Sequence, residues 1–266
     1  VRALIVIPAR YASQRYPGKP LVGLRGATGT VKPLIQRSWE AACAVPGGHR
    51  VVVATDDSRI AGVAEAFGAE VVMTSEQARN GTERCAEAHA ALGGGHDVIV
   101  NLQGDAPLTP PWFVPALLDG LAADAGAAMA TPVLRCTGAQ RAALIADRAA
   151  GRVGGTTAVF GEGGRALYFS KEVLPFSAAT YGDAEPTPVF HHVGLYAYRA
   201  EALAAYPALP EGRLERLEGL EQLRFLEAGL PVACVDVDAR ERPFWELNNP
   251  SDVSVIEGML GEAGLE

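Results

Sequence analysis

The chain opens with a short apolar run, Ala3-Leu4-Ile5-Val6-Ile7, stopped by Pro8 and followed by Ala9-Arg10-Tyr11-Ala12-Ser13-Gln14-Arg15-Tyr16-Pro17-Gly18-Lys19-Pro20. A short run bounded by proline reads as a buried strand, and the Pro, Gly and cation-rich stretch after it reads as a loop at that strand's carboxyl end. In open α/β sheets that edge is where ligands bind. Arg10, Arg15 and Lys19 are spaced so that one loop can close three cations around a polyanion such as a triphosphate, with arginine giving forked contacts and lysine a point charge. A solvated basic loop is the other reading of the same charges.

The pattern repeats along the first hundred residues. Helical spacing follows Lys32-Pro33-Leu34-Ile35, and Val51-Val52-Val53-Ala54 reads as a second buried strand. Thr55-Asp56-Asp57-Ser58 then reads as the turn and N-cap of a helix over residues 59–67, residues 70–73 form a third strand, residues 83–92 a helix, and residues 97–102 a fourth strand. This alternation predicts an α/β fold, a mixed and mostly parallel sheet with helices on both faces. Near residue 110 the alternation breaks. A helix is expected from Pro110-Pro111 to Leu121, a strand over 127–133, a strand-turn-strand over 157–169, and a strand over 193–198. A single helix over 217–227 and a late strand over 232–237 complete the pattern, while residues 138–157 are too rich in Ala, Arg and Gly to assign.

With 266 residues, 48% of them hydrophobic, the chain can bury about three-quarters of its unfolded surface without disulfides or a structural metal. One α/β domain over 1–266 with an elaboration after residue 110 is the expectation. A net charge of −8 argues against nucleic-acid or membrane-surface partners, which rely on positive fields, so an anionic ligand needs a local basic pocket. Cys43, Cys85, Cys136 and Cys234 form no C-x-x-C pair and suit reduced thiols. No signal-like segment and no apolar run of membrane-span length is present, and a cytoplasmic location is expected. There is no Gly-x-Gly-x-x-Gly after the first strand, which sets aside a nicotinamide enzyme, and Gly26-Ala27-Thr28-Gly29-Thr30-Val31-Lys32 lacks Walker spacing.

The other chemical signal is Leu102-Gln103-Gly104-Asp105-Ala106-Pro107, directly after a buried strand. Gly104 allows a close backbone approach to a ligand, and Asp105 is placed to hold Mg²⁺ against phosphate oxygens, with a turn or cap role as the alternative. Ile7-Pro8-Ala9-Arg10-Tyr11-Ala12-Ser13 and Pro17-Gly18-Lys19-Pro20-Leu21 resemble the nucleotide-binding loop of the CMP-Kdo synthetase (3-deoxy-manno-octulosonate cytidylyltransferase) family. Related guanylyl- and uridylyltransferases usually carry Gly-Gly where this chain has Pro8-Ala9, so the resemblance implies CTP.

The resemblance implies a single Rossmann-like nucleotidyltransferase fold with an inserted dimerisation and acceptor lobe. Its parts would be a nucleotide-binding part (1–109), an acceptor-binding and dimerisation part (110–245) and a C-terminal helix (246–266). It further implies a homodimer, and a reaction that moves CMP from CTP to a small anionic acceptor, Kdo or a related 2-keto sugar acid, with Mg²⁺ present. Pro8, Ala9, Arg10, Arg15, Lys19, Gly81, Thr82, Arg84 and Gln103 are then expected at the nucleotide, with Arg10, Lys19 and Asp105 as the catalytic set. Asn80-Gly81-Thr82-Glu83-Arg84 is similar to the family's cytosine-side segment and is also a plain helix start. Gln103 carries amide groups that suit cytosine's edge. Lys171, His192, Tyr196, Glu221 and Gln222 are the acceptor candidates. His191-His192 is not a metal pair, because neighbours on a strand point to opposite faces.

Three positions depart from the family pattern. Ala106 stands where Glu is usual. Asn248, within Leu247-Asn248-Asn249-Pro250, replaces the second metal-binding Asp and keeps only a carbonyl oxygen. Pro175-Phe176 is followed by Ser177 and not by Arg. Fewer acceptor-side charges keep CMP transfer to phosphonoformate open as an alternative, and Asn248 with Ala106 keeps open a nucleotide-binding homologue without turnover.

Overall fold

A computed structural model describes residues 1–12, 16–242 and 244–266. In chain order the strands and helices are β1 (Ala3–Ala9), β2 (Gly23–Arg25), β3 (Val31–Pro33), α1 (Leu34–Cys43), β4 (Arg50–Thr55), α2 (Ser58–Ala66), β5 (Glu70–Met73), α3 (Gly81–Ala91), β6 (Val98–Leu102) and α4 (Phe113–Ala123). They continue as β7 (Met129–Thr137), α5 (Gly138–Ala149), β8 (Thr156–Phe160), β9 (Ala166–Ser170), β10 (Pro186–His192), β11 (Leu195–Arg199), α6 (Ala200–Ala205), α7 (Arg213–Glu218), α8 (Leu223–Glu227), β12 (Val232–Asp236) and α9 (Asp252–Glu262). The chain forms two compact units, the first Val1–Pro115, Ala197–Pro207 and Ala239–Glu266, the second Ala116–Tyr196 and Ala208–Asp238.

In the first unit β1 runs parallel to β4 on one side and to β6 on the other, and β4 pairs β5 in parallel. Leu4, Ile5, Val6 and Ile7 are fully buried, which is why the opening run shows no alternation. Pro8 pairs Ala54 and Ala9 pairs Thr55, so Arg10, Asp56 and Gln103 all follow the carboxyl ends of parallel strands. The small β2-β3 hairpin, Leu34, Leu108 and Leu247 pack with Ile256 and Leu260 of α9 in one apolar cluster. That cluster fixes the segment around Leu247 beside the loop after β6.

In the second unit β10 is antiparallel to β7 and β8, β8 is antiparallel to β9, and β12 is parallel to β7. The expected strand-turn-strand is β8 and β9. Four expectations need correction. The helix expected from Pro110 begins at Phe113, because Pro110 accepts the Phe113 N–H and forms the turn before it. The unassigned stretch after residue 137 holds α5, opened by a capping box between Thr137 and Gln140. Residues 186–192 form a strand, β10, where none was read, and the strand expected over 193–198 is β11, which starts at Leu195. The helix expected over 217–227 is two helices, broken at Gly219, whose φ of +63° is the left-handed conformation glycine favours at a helix end.

Candidate active site

The first loop is closed at its neck. Gly18 donates its N–H to the Tyr11 carbonyl at 2.9 Å, and a methyl group on Gly18 would stand 3.0 Å from the Tyr11 ring at a φ of +72°. Only glycine fits this position. The Tyr11 ring is covered on a face by the Arg59 guanidinium, 3.4 Å from its centroid. Lys19 therefore leaves the neck in a fixed place. Its Nζ donates to Asp105 Oδ2 at 2.5 Å and to the Leu247 carbonyl at 2.9 Å. Arg10 is exposed at the loop's start, and Arg15 lies outside the described residues.

Gly104 serves a close approach, though to the protein's own backbone. A methyl group there would lie 2.7 Å from the Pro8 carbonyl oxygen, so glycine is what lets the loop after β6 pack on the end of β1. Ser38 donates to the Gly104 carbonyl at 3.0 Å and Leu247 donates its N–H to the Asp105 carbonyl at 2.9 Å. Asp105 is thus held through its backbone, and its carboxylate keeps Oδ1 for another partner. Asp252 accepts the N–H groups of Asn248 and Asn249 at 2.9 and 2.7 Å, which fixes the backbone of the segment that carries Asn248.

At the start of α3, Asn80 caps the helix by accepting the Glu83 N–H at 2.9 Å. A methyl group on Gly81 would stand 3.3 Å from Asn101 Nδ2, 3.5 Å from Pro8 Cγ and 3.6 Å from Gln103 Nε2. Pro8, Asn101 and Gln103 thus converge on the first residue of α3, with the half-buried Gln103 the outer amide. Thr82 is buried and shares a hydrogen bond with Tyr198 at 2.9 Å, and buried Arg84 donates to Asp56 at 2.8 Å and to Thr74 at 2.5 Å. Both side chains anchor α3. Asn101, fully buried with neither amide atom partnered among the described residues, was missed. Its only sequence signal is a polar residue inside the apolar run Val98–Leu102.

The acceptor candidates lie in the second unit. His192, at the end of β10, contacts Thr131 Oγ1 through Nε2 at 2.8 Å, and its ring lies 5.6 Å from that of Tyr196. Tyr196 donates to Gln222 Oε1 at 3.5 Å. Because Gly219 ends α7, Glu221 and Gln222 sit in the turn before α8 and not on a continuous helix surface. Lys171 donates its N–H to Glu218 at 3.0 Å, and Glu218 also accepts from Ser170 at 2.7 Å and Tyr168 at 3.3 Å. Burial, followed by the Glu218 charge, raises the Tyr168 pKa. Glu218 was also missed, since nothing in the charged stretch Glu215-Arg216-Leu217-Glu218 singles it out.

Burial, with the neighbouring His191 as a smaller cause, pushes the His192 imidazole down to about 3 from the usual 6.5. The folded pKa lies below the unfolded one, so this stability is fully present above pH 6.5 and is lost as pH falls towards 3. Between pH 7.5 and 5.0 His192 should remove about 2 kcal/mol. Burial lowers His191 too and acts in the same direction. Urea denaturation of the wild type and His192→Gln at both pH values checks this: the variant should lose about 2 kcal/mol less, and equal losses would contradict the buried neutral ring.

Asp105 offers a carboxylate oxygen, and Asn248, next in sequence to the Leu247 that bonds the Asp105 carbonyl, offers an amide carbonyl; both are hard oxygens of the kind Mg²⁺ takes. Among the described residues no group of three or more His, Cys, Asp or Glu could hold an ion. The set fits an ion that brings phosphate oxygens as its remaining ligands. None of the described helices is long and apolar enough to cross a membrane, and the four cysteines are unpaired thiols.

The profile of the family described as "Cytidylyltransferase" matches residues 4–237. A 3-deoxy-manno-octulosonate cytidylyltransferase of Maricaulis maris is 44% identical over 98% of this chain and 98% of its own length. An 8-amino-3,8-dideoxy-manno-octulosonate cytidylyltransferase of Shewanella pealeana is 40% identical over 96% of this chain and 97% of its own. Among solved structures, a CMP:2-keto-3-deoxy-manno-octonic acid synthetase complexed with CTP is 35% identical, with a TM-score of 0.83 over 99% of this chain and 100% of that one.

Proposed function

Because this chain belongs to the cytidylyltransferase family, we propose that it transfers CMP from CTP to 3-deoxy-manno-octulosonate (Kdo) and releases pyrophosphate. The observation that carries the proposal is the Lys19-Asp105 pair at 2.5 Å, a cation and a carboxylate brought together by the glycine neck of the first loop and the end of β6. Arg10, Arg15 and Lys19 bind the triphosphate. Pro8, Ala9, Gly81 and Gln103 receive the cytosine, with Thr82 and Arg84 holding α3 in place beneath it. Bound at Asp105 with Asn248, Mg²⁺ would offset the charge that grows on the phosphate oxygens.

Lys19 can exchange its carboxylate partner for a phosphate oxygen when the nucleotide arrives, and Asp105 keeps the second oxygen for the ion. An acceptor hydroxyl attacks the α-phosphorus in line, and pyrophosphate leaves. No covalent enzyme intermediate is needed, since positioning and charge stabilisation carry such chemistry. Lys171, His192, Tyr196, Glu221 and Gln222 hold the sugar acid. We further propose a homodimer built on the part after residue 110 and a cytoplasmic location, the latter in keeping with the unpaired thiols.

The relative that takes an 8-amino sugar acid makes that acceptor the one to set beside Kdo. Pyrophosphate release from CTP across Kdo, its 8-amino analogue and phosphonoformate tests the assignment. Kdo should give the highest kcat/KM. Release only with phosphonoformate, or with no acceptor at all, would overturn it.

A further inference from the structure

Thr131 lies on β7 with no exposed surface and was read from sequence only as part of an apolar strand. Its hydroxyl has three neighbours: His192 Nε2 at 2.8 Å, the Leu195 carbonyl at 2.9 Å and the Val193 carbonyl at 3.4 Å. A threonine hydroxyl has one proton to give and two lone pairs. Both carbonyls only accept. If that proton went to the imidazole, the hydroxyl and Leu195 oxygens would stand 2.9 Å apart with no hydrogen between them. If it goes to Leu195, the hydroxyl is left as an acceptor and the ring must donate from Nε2. A neutral imidazole that donates from Nε2 has a bare lone pair on Nδ1.

The ring is flanked by two aromatic side chains. Phe169 meets it edge-on at 5.1 Å and Tyr196 lies at 5.6 Å. Nearby, Gln222 spends its carbonyl on Tyr196, while its buried Nε2 has no hydrogen-bond partner among the described residues. His192 Nδ1 and Gln222 Nε2 are therefore an unspent acceptor and an unspent donor among the described residues, both without charge.

The geometry points to Thr131 as a positioning residue that locks His192 in the Nε2–H tautomer, so that His192 Nδ1 accepts a hydrogen bond from a hydroxyl of the acceptor substrate. The inference rests on the proposed sugar-acid reading for its ligand, and on the protein alone for its tautomer. It also narrows the substrate class. A polyhydroxylated acid has hydroxyl donors for Nδ1 and oxygens for the Gln222 amide, whereas phosphonoformate has no hydroxyl beyond its acidic groups. Burial already keeps the ring neutral near pH 7, so the tautomer, and not a charge, sets what the histidine can do.

Two readouts test this on the full-length protein, with Thr131→Val, which keeps the side-chain shape, and Thr131→Ser, which keeps the hydroxyl. Imidazole ¹⁵N shifts at pH 7.5 without substrate should show His192 as Nε2–H in the wild type and Thr131→Ser, and a mixed or reversed tautomer in Thr131→Val. Steady-state kinetics should show KM for the sugar acid rising about tenfold in Thr131→Val, the size expected for one misdirected hydrogen bond, with KM for CTP unchanged and Thr131→Ser close to wild type. An Nδ1–H tautomer in the wild type overturns the inference, as does a normal acceptor KM in a Thr131→Val protein whose tautomer has changed. If the wild type transfers CMP to no sugar acid, the substrate half fails with the proposed function, and the ¹⁵N spectra still decide the tautomer half. Should Thr131→Val not fold, Thr131→Ser and the wild-type spectrum keep both halves open to contradiction.

Discussion

Asp105→Asn is expected to lower kcat for pyrophosphate release by about 10³-fold or more while leaving the fold intact. The carboxylate is the charged oxygen donor proposed for the metal, and an amide in its place keeps the shape and loses the charge. Charge stabilisation of this kind is worth several kcal/mol in the transition state. The cost to the fold is small, because Lys19 and Asp105 keep 17% and 24% of their side chains exposed, Lys19 still has the Leu247 carbonyl at 2.9 Å, and Leu247 still binds the Asp105 backbone. Pair interactions at such partly exposed places contribute about 1 kcal/mol or less. Quenched-flow or coupled pyrophosphate assays with saturating CTP read the rate, and a urea midpoint reads the fold. A folded variant with near wild-type kcat would remove Asp105 from the chemistry.

Glu215→Ala should have the largest effect on stability, a loss of about 3–5 kcal/mol. Arg224 of α8 is almost fully buried and donates to Glu215 of α7 through two nitrogens, at 2.7 and 2.6 Å. Truncating the glutamate takes away the carboxylate that meets two nitrogens of the buried guanidinium. Because Glu221 and Gln222 sit in the turn these two helices support, KM for the acceptor should rise with the loss, while CTP binding should not. Combining Glu215→Ala with Arg224→Met removes both charges and should recover most of the stability. Chemical denaturation of the single and double variants measures this, and a single variant within about 1 kcal/mol of wild type would show that the pair does not hold α7 to α8.

The parts of the fold that the sequence made readable are those where local pattern and tertiary position agree. β1 is apolar throughout because both neighbours are parallel strands, and Gly18 falls in the Pro- and Gly-rich stretch that reads as a loop, where its φ is +72°. The chain's own backbone hid other features. Gly219 sits inside a charge and apolar spacing that suits a helix on either side, so a break that one glycine causes read as a tolerated residue. Pro186 and Pro188 obscured β10, and the Thr137-Gln140 capping box was a readable signal for α5 that composition masked.

The site divided the same way. The loop cations and the Gln103-Gly104-Asp105 turn stood out because motif and strand end coincide. The contact of Lys19 with Asp105, 86 positions away, exists only through the pairing of β1 with β6. Thr131 and Asn101 were hidden for a different reason: each is a single polar group in an apolar strand, and its meaning depends on which donors and acceptors the neighbouring strands and loops supply.

The account turns on where the nucleotide lies. A crystal structure with CTP and Mg²⁺ should place the triphosphate within hydrogen-bond distance of Lys19 Nζ, the ion on Asp105 Oδ1 or Oδ2, and the cytosine against Gly81 and Gln103. Density for the triphosphate away from the neck of the first loop, with the Lys19-Asp105 pair undisturbed, would contradict it.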